Sequence, residues 1–135
     1  MSLGRGAVLL IAASVAVGAA VVGALIVVGP PAEQRRQRLD ELRAQDLAML
    51  ERAVNAYARA HGALPTDLDT AARDNAALKT RDPQSGAPYV YEILGTDRYR
   101  LCATFTGSSA GEERMPFTSG WPHGPGRTCF ERVAR

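Results

Sequence analysis

Residues 7–28, AVLLIAASVAVGAAVVGALIVV, contain no charged residue and one polar side chain, Ser14. As a helix the stretch would be about 33 Å long at ~1.5 Å per residue, close to the hydrocarbon thickness of a bilayer. A helix buried in a protein core would keep a polar face, and this one has none. A cleavable signal peptide has a shorter apolar region that ends in a small-x-small site. Here the run is longer and stops at Gly29-Pro30-Pro31. The expectation is therefore an uncleaved, single-pass membrane anchor.

The pattern then turns amphipathic. Over residues 32–61, Leu39, Leu42, Leu47, Leu50, Val54 and Tyr57 recur at steps of three to five, with charges between them. This predicts a second long helix. Gly62 suits its left-handed cap, and Pro65 follows. Thr66, Asp67 and Asp69 then suit the amino end of a short helix in TDLDTAARDNAAL. After the turn-forming TRDPQSGAP, the period falls to two. Tyr89, Tyr91 and Ile93 share one face, and Tyr99, Leu101, Ala103 and Phe105 share another, with the turn GTD between the two runs. That alternation predicts a β-hairpin whose aromatic face covers the leucine stripe. Residues 106–128 read as loop and residues 129–133 as a short closing strand.

The fold class expected is α+β, a transmembrane helix and then a long amphipathic helix packed on a small antiparallel sheet. Its segments are residues 1–6, a short amino-terminal stretch; 7–28, the span; 29–62, the juxtamembrane and amphipathic helix; and 63–135, a sheet-containing head with a closed carboxy-terminal loop.

Charge narrows the function. The chain has 135 residues, 16 Lys and Arg against 14 Asp and Glu, and a net charge of +2. Lys79 is the only lysine, and the arginines are interleaved with acids. No concentrated basic face is available to neutralise phosphates, so nucleic acid is not an expected partner. Every aromatic residue follows the span, leaving roughly 100 residues to build one modest core. Arg35, Arg36, Arg38 and Arg43 after the span, against Arg5 before it, would by the positive-inside tendency put the head in the cytoplasm. The two cysteines point the other way. Paired, Cys102 and Cys129 would tie the terminal loop to the sheet and stabilise the head by about 3–4 kcal/mol. Such a bond persists in an oxidising compartment. Two unpaired buried thiols in a cytoplasmic domain are the alternative.

The order of these elements resembles the type IV pilin and type II secretion pseudopilin group. A G-x-L-P turn is present at Gly62, Leu64 and Pro65. A D-P-x-x-G-x-P-Y-x-Y element leading into the first strand is present at Asp82, Pro83, Gly86, Pro88, Tyr89 and Tyr91. The likeness covers residues 33–105 and implies a lollipop-shaped helix carrying a small antiparallel sheet. Trp121, His123, Gly126, Cys129 and Phe130 form a W-x-H-x-x-G-x-x-C-F element similar to that of bacterial membrane-anchored proteins with this type of domain. One departure matters. If Gly6 were a prepilin cleavage glycine, the fifth residue after it would be glutamate, and it is Ile11. A pilin-like head on a permanent anchor is expected, without processing or polymerisation.

Candidate chemistry is sparse. Cys102, Cys129, His61 and His123 lack the short paired spacings of a zinc site. Ser108, Ser109 and Ser119 lack a nucleophile-elbow motif. Asp97, Glu112 and Glu113 could offer oxygens to calcium, which some pseudopilins bind near the sheet, but they show no regular ligand spacing. No metal, cofactor or catalytic residue is expected. Ser14 with Gly18, and Ala19 with Gly23, would allow close helix packing and self-association in a bilayer. In WPHGPGRTCF, Pro122, Gly124, Pro125 and Gly126 shape a turn. Trp121 reads as a lid on the core and His123 as a surface or hydrogen-bonded loop residue; the two are the candidate recognition residues. The function expected is a non-enzymatic structural or interaction subunit of the cell envelope. It would sit in the bilayer through residues 7–28, with its head periplasmic or extracellular and other envelope proteins as partners. The alternative is a sensory head that signals through its helix. An exposed apolar patch would mark the first, and a concave aromatic pocket the second.

Overall fold

A computed structural model of the chain describes residues 4–28, 30–109 and 120–135. The chain divides into two compact units, Met1–Arg35 and Arg36–Arg135. In the first, α1 spans Arg5–Val28, and each of its described side chains is exposed. Its single hydroxyl is satisfied within the helix, because Ser14 Oγ donates to the Leu10 carbonyl at 2.9 Å. The run Arg5–His61 holds a window of mean hydropathy 2.6, long and apolar enough to cross a membrane, with none of that window buried. Gly29 lies outside the described residues; Pro31 opens α2 (Pro31–His61), where its missing N–H costs nothing.

The second unit is α+β. It contains most of α2, then α3 (Leu68–Ala72) and three strands, β1 (Val90–Ile93), β2 (Arg98–Phe105) and β3 (Gly126–Val133). The sheet is antiparallel in the order β1-β2-β3. Gly62, at φ 70°, caps α2 in the left-handed region, and its N–H reaches the Ala58 carbonyl at 2.8 Å. Asp67, rather than Thr66, is the cap of α3; its Oδ1 accepts from the Thr70 N–H at 2.6 Å. The third strand starts at Gly126, earlier than Cys129, because residues 126–128 continue the ladder opposite Phe105, Thr104 and Ala103.

Period-two alternation sorts the sheet as anticipated. Tyr99, Leu101, Ala103 and Phe105 are buried on the inner face with Tyr89 and Phe130, against Ala44, Leu47, Leu50 and Val54. Leu101 stands opposite Tyr91 on one side and Phe130 on the other, at the middle of that layer. Ile93 shares the face but lies at the turn end of the hairpin and is 50% exposed. The leucine stripe needs one correction. Leu42 is 45% exposed, since it stands about 140° around the helix from Leu47. The buried line continues instead through Asp40 and Arg43. Cys102 and Cys129 are directly opposed across β2 and β3 and form the disulfide, with Cα atoms 4.1 Å apart, so the unpaired-thiol alternative does not hold.

Truncating the line at its apolar part should cost far more than truncating beside it. Leu47→Ala should lower unfolding free energy by about 2–5 kcal/mol, and Leu42→Ala by under ~1 kcal/mol. Urea denaturation of the full chain in detergent compares them directly.

Candidate functional site

The most concentrated polar chemistry in the head is a charge cluster where α2 meets two loops. Asp40, Arg43 and Asp46 occupy successive turns of one face of α2, and all three are buried. Arg43 donates Nη1 to Asp40 Oδ1 at 2.7 Å, Nη2 to Gln84 Oε1 at 2.9 Å and Nη2 to Asp82 Oδ1 at 3.3 Å. Its Nε–H donates to Asp82 Oδ2. Asp40 in turn accepts the backbone N–H of Gly107 at 2.7 Å and both the N–H and hydroxyl of Thr106 at 2.9 Å. The guanidinium thus holds the 82–86 loop to the helix, and Asp40 holds the end of β2.

Asp82 also builds its own loop. Its Oδ1 accepts the N–H groups of Gln84 at 2.9 Å and Ser85 at 2.7 Å, and its carbonyl accepts Gly86 N–H at 2.9 Å. Gly86, at φ 69°, supplies the left-handed turn that lets the chain double back. Two tyrosines follow and reach the helical side. Tyr89 donates its hydroxyl to Asp46 Oδ2 at 2.8 Å, and Tyr91 donates to the Pro65 carbonyl at 3.0 Å. Asp82, Gly86, Tyr89 and Tyr91 of D-P-x-x-G-x-P-Y-x-Y therefore each have a local physical task.

Burial opposes ionisation of Asp40. The Thr106 and Gly107 amides, Arg43 and the Thr106 hydroxyl together outweigh it and hold the carboxyl below its ordinary range. Asp82 is likewise penalised by burial, yet Arg43 and the Ser85 and Gln84 amides bring it down to about 2. Asp46 goes the other way, because burial exceeds what one tyrosine hydroxyl returns. Burial and the adjacent Asp46 also push the Tyr89 phenol up. The cluster has the chemistry of a clasp, with its donors and acceptors turned on one another.

The recognition candidates lie inside the head. Trp121 is buried edge-on against Phe130, centroids 4.7 Å apart, and the Arg132 guanidinium lies 4.4 Å over the indole. Arg132 also reaches the Gly120 carbonyl at 2.7 Å and Glu51 of α2 at 3.2 Å. His123 is buried and stacks on Phe105 at 3.8 Å. Its Nδ1 lies 2.9 Å from the Trp121 carbonyl, so that nitrogen carries a proton. Ser109 exchanges hydrogen bonds with the His123 backbone at 2.9 Å and so closes the loop. His61 stacks on Tyr57 at 4.0 Å, and Asp97 accepts the Ala134 N–H through its carbonyl at 2.7 Å. Among the described residues, no three His, Cys, Asp or Glu side chains are grouped to hold a metal. Glu112, Glu113 and Ser119 lie outside the described residues.

The outer face of the sheet carries an ion ladder. Arg100 links Glu131 at 2.7 Å and Glu92 at 3.2 Å, and Arg98 joins Glu131 at 3.2 Å. Beside it lies a cleft of about 150 Å³ bounded by Asp82, Ser85, Val90, Cys102, Thr104 and Arg127. On the far side of α2, Gln45, Ala48, Met49 and Arg52 line an apolar depression of about 220 Å³. A groove of about 480 Å³ between the end of α2 and the α3 region has an alanine floor, Ala53, Ala56, Ala60 and Ala71, with Tyr57 as its one aromatic wall.

Helical periodicity alone passes over Asp40, Arg43 and Asp46, because charge ordinarily marks the exposed face of a helix. The signal was their spacing, which continues the line of Leu47, Leu50 and Val54 at steps of three and four. Acid should release the clasp. The depressed carboxyl of Asp82 contributes stability that is complete above its unfolded value near 4 and is lost as pH falls toward 2. Asp46, raised in the fold, contributes in the opposite sense. Unfolding free energy of the full chain should drop by about 2 kcal/mol over that window through Asp82, and Asp82→Asn should flatten the drop while lowering the plateau. Denaturant melts at several pH values measure both. No protein-family profile, curated protein or solved structure matches this chain.

Proposed function

We propose that the chain is a non-enzymatic, membrane-anchored envelope protein with a pilin-like head that acts as a structural or protein-interaction subunit. The observation that carries this reading is the pairing of an exposed α1, uncharged over residues 7–28, with a head whose α2 keeps apolar side chains on its outer side. Leu42 and Met49 are exposed there, Met49 at 37%, away from the buried Leu47 and Leu50. Met49 and Ala48 also line the apolar depression beside Gln45 and Arg52, and a contiguous exposed apolar patch marks an interaction surface. The periplasmic or extracellular orientation draws support from the disulfide, which an oxidising compartment maintains. Arg35, Arg36, Arg38 and Arg43 after the span point to the opposite orientation. The pilin resemblance suggests a secretion- or pilus-related assembly as the setting. A sensory head is the second reading, favoured by the groove walled by Tyr57.

Photo-crosslinking amino acids at Leu42 and Met49 in intact cells, with Thr104 on the outer sheet face as comparison, test the interaction reading. Discrete adducts at the two helix positions and none at Thr104 are expected. Absence of adducts at both helix positions would contradict it. Orientation is tested in the same cells with a membrane-impermeant reductant followed by an impermeant maleimide, which should label the exposed Cys129 without permeabilisation.

A further inference from the structure

We infer that the Cys102–Cys129 bond is a directional thiol–disulfide exchange site, attacked at Cys129 by an external thiolate with Cys102 as the leaving group. Three independent features carry it. The first is asymmetric access: Cys102 is 1% exposed on the central strand, whereas Cys129 is exposed on β3. The second is the line of attack. A thiolate must approach a disulfide sulfur along the S–S axis, from the side away from the leaving sulfur. On the Cys102 side β1 continues the sheet, with Val90 standing opposite Cys102 in the ladder. On the Cys129 side, β3 is the edge of the three-stranded sheet.

The third feature is a charge beside one sulfur. Arg127 Nη2 lies 3.8 Å from Cys102 Sγ, at the cleft bounded by Asp82, Ser85, Val90 and Thr104. A cation there stabilises a thiolate on Cys102, which makes that sulfur the better leaving group. Glu92 lies 3.7 Å from the same guanidinium and partly offsets its charge.

The step balances without another reactant. The incoming thiolate forms a bond to Cys129 Sγ, the Sγ–Sγ bond breaks, and its electron pair leaves on Cys102 Sγ as a thiolate facing Arg127. If the donor is a dithiol, its second thiolate attacks the mixed disulfide. That releases Cys129 as a thiol and leaves the donor oxidised. The head keeps its architecture through the cycle, because β2 and β3 remain paired from Arg98–Val133 to Phe105–Gly126 and Phe130 stays on the inner layer. The reverse sequence, with a disulfide donor, installs the bond. The reaction partner is thus a thiol or dithiol, and what it changes is the closure of the loop between the two cysteines.

The test uses the full chain in detergent with excess glutathione. The reaction is quenched in acid at early times, free thiols are alkylated, and both cysteines are read by mass spectrometry. The expected product carries glutathione on Cys129 and the alkyl group on Cys102. Arg127→Gln should slow its formation roughly two- to fivefold, Arg127→Lys should retain most of the rate, and Glu92→Gln should raise it. Circular dichroism of the fully reduced chain should keep the sheet and helix signal. Glutathione found mainly on Cys102, or rates unchanged in both Arg127→Gln and Glu92→Gln, would overturn the assignment.

Discussion

A buried arginine needs its charge answered, and the head is organised around that requirement. Arg43 sits on the buried face of α2, where an unpaired guanidinium would cost several kcal/mol. Asp40 comes from the same helix, Asp82 and Gln84 from the loop before β1, and Thr106 and Gly107 reach Asp40 from the end of β2. One side chain thereby sets how two loops and a strand end meet the helix. A hydrophobic contact at that position could slide by a residue without large loss. A five-donor guanidinium bound to two carboxylates cannot, so the cluster specifies register as well as cohesion.

Apolar packing then completes what the cluster positions. Leu47, Leu50 and Val54 meet the aromatic layer of Tyr99, Leu101 and Phe105. The chain leaving β2 returns through Trp121 and His123, which cap Phe130 and Phe105. Arg132 ties that return to α2 through Glu51, and the disulfide fastens the same two strands from the outer face. Inner aromatics, outer sulfurs and the Arg132–Glu51 pair thus restrain the terminal segment from three directions. The composition of WPHGPGRTCF follows from this: its Trp and His supply packing, its Cys the disulfide and its glycines and prolines the turn.

Much of this was legible in the residues. The apolar segment, the second helix, the hairpin and the cysteine pair each rest on a short-range or compositional signal, and each is present. The element from Asp82 to Tyr91 was legible as a pattern before its hydrogen bonds explained the pattern. What escaped was tertiary. Leu42 and Asp40 both satisfy a loose helical period, and only the partners waiting at Asp82 and Thr106 decide which of them turns inward. The burial of His123 depends on Phe105, far away in sequence, and the start of β3 at Gly126 depends on a free ladder edge at Phe105. The charged line was hidden because burial of charge is rare unless partners are supplied, and partners are not visible in a helical period.

The account stands on the coupling between Arg43 and Asp82. A double-mutant cycle with Arg43→Met, Asp82→Asn and the pair, measured by urea unfolding of the full chain at neutral pH, isolates that term. Removing Arg43 alone should cost about 3–5 kcal/mol, because Asp40 and Asp82 lose the cation that answers their charge. The double variant should then be more stable than the sum of the singles implies, by about 1–3 kcal/mol. Additivity within ~0.5 kcal/mol would contradict the claim that this buried pair holds α2 and the 82–86 loop together.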